Sequence, residues 1–429
     1  MELLARLGIG WLLMLALLDV RAEPLPDPLT LEYALSLAQG SHPTVDNAAA
    51  DVAIAEALLA QANASDGLSI SVEGRLEHIE PAELSNFQQH NNSQLALNMR
   101  KRLYDFGHTR AAREAASNAL SGRQWNYLQS RQQQYIKVMT SYLDVILADL
   151  EYTRDNEAMA TAYVRMDRAR ERHELGQLSE IELLRTESLY QEIRQQRAAS
   201  EARQRATRSR LAIALNRPGE LPANLALPKQ PVMELADMDV SRITTTVLEN
   251  NPGLKALRAE LAAAGQTLKH ASSRYGPVIH GELEAREYYR ETRSTDPFSV
   301  AVVLEVPLYT GGRSDAAVAE ASALVGKKQA EIAETELILR QAVLDLWLEL
   351  QNLGTRMEEL NVLGDYREYY LDRSRTLYDL EVTTDLGDAM VQTSAVRLKK
   401  SRAAFQWMLA MARLDALTGK LLPEPGENQ

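Results

Sequence analysis

The sequence predicts a mainly α-helical fold with a small membrane β part, built as two tandem repeats of helix–strand–strand–long helix–helix. Three observations predict it. The stretch "RLYDFGHTRAAREAA", starting at Arg102, recurs in outline as "PLYTGGRSDAAVAEA", starting at Pro307, with Leu103 and Leu308 205 residues apart. Each stretch is preceded by segments that alternate apolar and polar residues, the period of a strand with one apolar face. Each is followed by a long proline-free run with apolar residues at three- and four-residue spacing, the period of a packed helix. A period this long marks two large halves rather than a solenoid of short units.

The chain opens with "MELLARLGIGWLLMLALLDVRAEPLPDP". Arg6 supplies a weak positive start, Gly8 to Leu18 an apolar core, and Val20-Arg21-Ala22 a small-x-small cleavage site. Residues 1–22 are therefore expected to be a secretory signal peptide. About 11 apolar residues are too few to span a bilayer, which needs roughly 20. No later segment is apolar enough for a transmembrane helix. The 429 residues include 59 acidic and 47 basic side chains, a net charge of −12, which argues against nucleic acid as a partner. The absence of cysteine excludes disulfides, thiolate metal sites and a lipidated N-terminal Cys.

The first repeat is expected over 23–216 and the second over 241–420, with a Pro-rich connector at 217–240 and a tail at 421–429. His42 to Gly67 aligns without a gap with Asn251 to Gly276, 209 residues on. Each is a helix opened by Pro43 or Pro252 and closed by a glycine. The offset falls to 205 by Leu103, so the first repeat carries extra residues in between, where a loop belongs. Strands follow at about 68–79 and 93–105. Leu68, Ile70, Val72, Gly74 and Leu76 share one face, and Leu95, Leu97, Met99 and Leu103 another apolar row. The second repeat matches them with strands at about 278–290 and 298–309. Tyr104, Phe106 and Tyr309 mark one end of these strands, and Tyr288, Tyr289 and Phe298 the other, similar to the aromatic girdles of an outer-membrane barrel. Four strands cannot close around a channel, and an open edge in lipid leaves backbone groups unpaired, so such a barrel must be shared among copies.

Long helical hairpins at about 107–216 and 312–418 complete the repeats. A helix of roughly 68 residues from His108 would span about 100 Å. Ile136, Met139, Leu143, Ile146 and Leu150 form one coiled-coil seam; Val343, Leu346, Leu350, Leu353, Met357 and Leu360 form the other. Tyr104 and Gly107, and in the second repeat Tyr309, Gly311 and Gly312, are the expected strand-to-helix turns, where glycine lets the backbone swing.

This layout resembles the TolC family of outer-membrane efflux and secretion channels. The resemblance covers nearly all of the mature chain and rests on the two turn stretches and on the tips "RHELGQLSEIELL" and "LYDLEVTTDLGDAM". It implies a homotrimer that shares a twelve-stranded β-barrel above a long periplasmic coiled-coil tube, placed in the cell outer membrane among its lipids and spanning into the periplasm. It further implies the passive exit duct of a tripartite efflux pump or type I secretion system, with a periplasmic adaptor (membrane fusion protein) and an inner-membrane pump as partners, gated at the periplasmic tips. Carried over residue by residue, Gly176 matches the first tip glycine, Glu182 a tip acid that accepts a hydrogen bond across the closed gate, and Tyr378 a gate tyrosine. The family's gate arginine falls on Thr383 and its second tip glycine on Glu381. Its pore-facing aspartate falls on Gly387, flanked by Asp385 and Asp388. Three copies of these two acids would form rings that concentrate cations. The plainer reading of Asp385 is a helix N-cap.

No catalytic, metal-binding or cofactor-binding residue is assigned. The seven histidines lack a ligand spacing such as HExxH, "YTGGRSD" and "LTGK" lack the rest of a phosphate loop, and no nucleophile elbow occurs. An enzyme is not expected. The alternative is a non-pore periplasmic coiled-coil adaptor or structural protein. That class would carry one helical hairpin and a soluble β-domain, not two strand pairs flanked by aromatics.

Overall fold

A computed structural model describes residues 25–81, 88–220, 222–229, 231, 233, 239–291, 295–382 and 385–422. The expected signal peptide, Thr383 and parts of the expected connector and tail lie outside the described residues. Helices α1 (Leu31–Leu37) and α2 (Pro43–Ala64) lead into strands β1 (Ser69–Arg75) and β2 (Gln94–Tyr104). Helices α3 (His108–Glu174), α4 (Glu180–Ala214), α5 (Val240–Asn250) and α6 (Pro252–Ser272) follow. Strands β3 (Val278–Tyr288) and β4 (Phe298–Glu305) then precede α7 (Arg313–Asp379) and α8 (Leu386–Leu417). The chain is thus mainly helical with a small antiparallel sheet. Among the described residues no helix is long and apolar enough to cross a membrane.

Two compact units divide the chain. One contains Val138–Gln230, Gly364–Lys399 and the described part of Met1–Gly40; the other contains Ser41–Lys137, Pro231–Leu363 and the described part of Lys400–Gln429.

The second unit holds the sheet. Its strands are ordered β1-β2-β3-β4, each antiparallel to the next. Register puts Ile70, Met99, Leu283 and Val300 in one row, and Val72, Leu97, Ala285 and Phe298 in the next. The alternate rows, such as Ser71, Asn98, Glu284 and Ser299, are polar. Period-2 alternation therefore gives one apolar and one polar face, as the sequence predicts. A bulge between Arg102 and Tyr104 adds one residue to β2 and pairs Tyr104 with Ile279, so Tyr104 joins the apolar face beside Leu103.

Three details depart from expectation. Regular pairing of β1 stops at Arg75, not near 79; it breaks at Leu76 and resumes only as bonds such as Asn92 N–H to Glu77 C=O at 2.8 Å. Strand β4 stops at Glu305 rather than 309, because Pro307 has no N–H to donate to a ladder. Tyr288 pairs with Gln94 on the polar face and its hydroxyl accepts from Arg286 at 3.4 Å, so it does not join Tyr289 and Phe298 as an outward aromatic.

Helix packing in the same unit follows the expected second seam. Leu346, Leu350, Leu353 and Leu360 of α7 bury against Ala403, Trp407, Ala410 and Leu414 of α8, with Met357 partly buried beside them. Val343 and Leu339 pack on Val247 and Leu254 of α5 and α6. Both α2 and α6 start with proline at the first turn, where its missing N–H costs nothing; His42 accepts from Thr44 N–H and Asn251 from Leu254 N–H.

In the other unit Met139, Leu143 and Ile146 of α3 are buried as expected, but so are Val138, Tyr142 and Val145. The buried stripe is wider than a two-helix seam. Fully buried Tyr142 donates its hydroxyl toward the carbonyls of Leu29 (2.8 Å) and Ala226 (2.6 Å), tying the Leu29–Leu225 bridge to α3. Burial, with the nearby Glu32 charge, pushes this hydroxyl's pKa up to about 12.

Candidate functional site

Two kinds of position were singled out by sequence: the turns between strand and long helix, and the tips of the helical hairpins. At the first turn Phe106 (φ +51°) and Gly107 (φ +92°) lie in the left-handed region, and α3 starts at His108. At the second, Gly311 (φ +66°) and Gly312 (φ +81°) occupy the positions 205 residues on, before Arg313. The glycines thus sit where backbone sterics demand them, and Phe106 adopts the same conformation without that freedom. Phe106 stands edge-on to Tyr104, ring centroids 4.6 Å apart. Tyr309 is 89% exposed.

Sequence reasoning missed the residue that fastens the first turn. Asp105 accepts from the Thr109 N–H at 2.8 Å and from the Thr109 hydroxyl, which also accepts from Arg102 at 2.7 Å. Burial raises the Asp105 pKa, but the Thr109 bonds and the Arg102 charge outweigh it and hold the carboxyl below its usual range. The signal was available, since Asp shortly before a helix is a capping residue. Thr310, the residue 205 positions on, serves α7 through its hydroxyl, which accepts from Ser314 N–H at 3.4 Å.

The tips belong to the other unit. Helix α3 ends in a Schellman turn: Gln177 N–H bonds Arg172 C=O, Gly176 N–H bonds His173 C=O (both 2.8 Å), and Gly176 has φ +71°. Ser179 then caps α4, its hydroxyl accepting from Glu182 N–H and donating to the Glu182 carboxylate, both at 3.3 Å. Glu182 is therefore engaged locally as a capping acid. Helix α7 ends in the same turn, with Val382 N–H on Leu377 C=O (3.0 Å), Glu381 N–H on Tyr378 C=O (2.9 Å), and Glu381 at φ +57°. The Tyr378 side chain is 55% exposed.

Asp385 and Asp388, expected to contribute to acidic rings, with a helix N-cap as the plainer reading of Asp385, each have a side-chain partner. Asp385 stands at the N-cap of α8, its C=O accepting from Ala389 N–H at 3.1 Å, while Tyr370 donates its hydroxyl to Asp385 Oδ2 at 2.7 Å. That bond raises the Tyr370 pKa, because the proton it would lose is shared with a carboxylate. Asp388 pairs with Arg165 of α3. Arg165 and Tyr370 are themselves 205 residues apart, so equivalent positions on the two long helices each grip one acid at the start of α8.

Gly387, between the two acids, lies against Thr161; a Cβ there would meet the Thr161 hydroxyl at 2.7 Å. Glycine is what lets α8 approach α3 this closely. Arg165 and Asp388 rim a cavity of about 180 Å³ whose wall includes Leu189, Tyr190 and Val391. No described contact joins Gly176, Glu182 or Tyr378 to this cluster. Nothing in the sequence marked Arg165 or Tyr370, since an Arg or Tyr on a long helix ordinarily faces solvent.

Residues 244–420 match the family model described as Outer membrane efflux protein. The chain is similar to the outer membrane efflux protein BepC of Brucella suis biovar 1, 22% identical over 346 residues that cover 76% of this chain and 72% of that one. Its fold is that of a membrane protein from Pseudomonas aeruginosa (TM-score 0.75, 16% identity, 92% of each chain covered). It is also that of the Campylobacter jejuni CmeC outer membrane channel (TM-score 0.73, 13% identity, 92% of this chain and 87% of that one).

Proposed function

We propose that this chain is a TolC-type outer membrane efflux protein, a reading supported by the family match over residues 244–420 and the similarity of its fold to outer-membrane channels, and that it acts as a passive exit duct fed by a pump and its periplasmic adaptor. Its place is the outer membrane, reaching into the periplasm.

One observation carries the duct reading. Leu95, Phe298, Leu304, Val72, Val300 and Val302 are between 54% and 71% exposed, all on one face of a sheet whose other face is polar. In water such a patch is an aggregation liability; in lipid it is an outer wall. Among the described residues strands β1 and β4 each have one neighbour, so both edges of the sheet are open. Three copies giving four strands each would close them into a barrel, which removes the unpaired edges lipid does not tolerate. Two tandem repeats, at 23–216 and 241–420 around the 217–240 connector, would supply two strands and one long hairpin apiece.

At the tips the acids work as a clasp inside one protomer rather than as a free ring. Arg165 would supply the cation that the expected latch lacks at Thr383. The Arg165–Asp388 pair holds the second hairpin against the first, the Tyr370–Asp385 bond fixes the start of α8 on α7 within the second, and opening requires the Arg165–Asp388 pair to part. Reconstitution into planar bilayers tests the duct. Discrete single-channel steps are expected from the purified protein, with a larger open fraction for Asp388→Asn. Membrane-inserted protein that never conducts would favour the adaptor reading instead.

A further inference from the structure

The polar face of the sheet holds a cavity of about 570 Å³ beside both strand-to-helix turns. Three guanidinium groups enter its wall, Arg100, Arg102 and Arg313, against one carboxylate, Glu305. In a chain of net charge −12 such a cluster is against the grain. Two of the forks are held in place from behind. Arg100 pairs with Glu282, and Arg102 reaches Thr109 at 2.7 Å and Asp105 at 3.4 Å. Each of these uses a single terminal nitrogen, and a guanidinium carries five N–H donors in one plane. Arg313 is exposed and has no ion pair among the described residues.

Arg313 also opens α7, a helix of 67 residues, so the positive end of that helix dipole adds to the cavity's potential. The Ser69 and Ser273 hydroxyls also line the wall but already donate to Arg100 C=O (3.0 Å) and His270 C=O (2.8 Å), so the donors left for a ligand are those of the guanidinium groups. Farther along the same face charges of both signs alternate, with Glu282, Glu284 and Arg286, so the excess of guanidinium groups lies at the helix-proximal end.

We infer that this cavity is a binding site for a doubly charged oxyanion of the phosphate class, with Arg100, Arg102 and Arg313 as its ligands. Three planar guanidinium forks, two of them fixed by neighbours, facing a single lining carboxylate fit a tetrahedral oxyanion better than a halide, which has no lone-pair geometry for a fork to match. The register also selects the source. Arg100 stands beside Ser69 and Glu282, and Arg102 beside His280, on the polar face; Lys101 alone of the Arg-Lys-Arg run pairs with Gly281 on the apolar face. The site therefore takes a group from a dissolved solute rather than a lipid headgroup. That this solute travels in a lumen rests on the duct reading; that an oxyanion binds does not.

Titration calorimetry of the full-length protein in zwitterionic detergent, with inorganic phosphate as probe and chloride at constant ionic strength, tests the site. Saturable binding of one phosphate per chain is expected, weakened about tenfold in Arg313→Gln, since a charge-assisted bond is lost. Arg313→Lys, which keeps charge without the fork, should fall between. Arg110→Gln, on α3 and paired with Glu114 outside the cavity wall, should bind as the parent does. Phosphate heats that do not saturate, or that Arg313→Gln leaves unchanged at an unaltered melting temperature, overturn the site. Repeating the titration in nanodiscs separates the sources: phosphate binding lost in phosphatidylglycerol discs but kept in phosphatidylcholine discs would assign the site to lipid and overturn the solute source. Conduction enters none of these readouts, so a failed duct and a failed site are told apart.

Discussion

Gly176 at φ +71° and Glu381 at φ +57°, 205 residues apart, close the two long helices with the same Schellman turn. Only the first has the residue that adopts this conformation freely. An L side chain in the left-handed region costs roughly 1–2 kcal/mol, part of which glycine's greater unfolded-state entropy offsets. Glu381→Gly is therefore expected to stabilise the chain by about 0.5–1 kcal/mol, and Gly176→Glu to destabilise it by a similar amount. Thermal unfolding of both variants checks the pair of signs; a loss of stability in Glu381→Gly would mean that the Glu381 side chain contributes more than its backbone costs.

The clasp between α3 and α8 predicts a coupling. Arg165 and Asp388 are each half exposed, so their pair is expected to be worth no more than about 1 kcal/mol. Open probability in planar bilayers should rise about two- to fivefold in Arg165→Gln and in Asp388→Asn. The double variant should resemble either single one, and the swap Arg165→Asp with Asp388→Arg should close the channel again. Additive single effects would show that the two side chains act separately.

Strand facing makes a position-specific prediction. Leu97 lies between Val72 and Ala285 on the apolar face, and its neighbour Asn98 lies between Ser71 and Glu284 on the polar one. An arginine on the lipid side near the midplane costs about 2–4 kcal/mol, while one facing the interior does not. Leu97→Arg should lower the yield of assembled protein in the outer-membrane fraction, and Asn98→Arg should leave it close to the parent level. Equal yields would contradict the assigned faces.

His108 and His270 give a pH dependence. Their rings stack with centroids 3.7 Å apart, and His108 Nδ1 lies 2.9 Å from the Ser273 hydroxyl. Burial, then the neighbouring His270 charge, holds the His108 pKa below the usual histidine value. A depressed pKa means that the folded state prefers the neutral ring. Its stabilising contribution is complete above about 6.5 and is lost as pH falls through the folded value. Melting temperature should drop on acidification from pH 7.5 to 5.5, and His108→Gln should flatten that drop. An unchanged pH slope in the variant would assign the acid sensitivity to other groups.

The elements that periodicity alone could place were placed well. Strands with a strict apolar row and helices with a three–four seam follow from side-chain direction, so Val72, Leu97, Leu346 and Leu350 lie where their spacing put them. Element ends depended on local chemistry the pattern does not carry, as with Pro307 and the unpaired Leu76. The site was less legible. Asp385 and Asp388 were visible as acids at a tip, but their partners Tyr370 and Arg165 are distant in sequence and have no pattern to mark them. Arg313, read as the start of a helix, acquires a role only when the fold sets it beside Arg100 and Arg102. Thr383, the expected seat of a gate residue, lies outside the described residues.

Single-particle electron microscopy of the detergent-extracted protein tests the central claim most directly. The account predicts a three-fold particle with a barrel at one end and a helical tube of about 100 Å leading from it. A monomeric rod, or a protein that stays in solution without detergent, would contradict it.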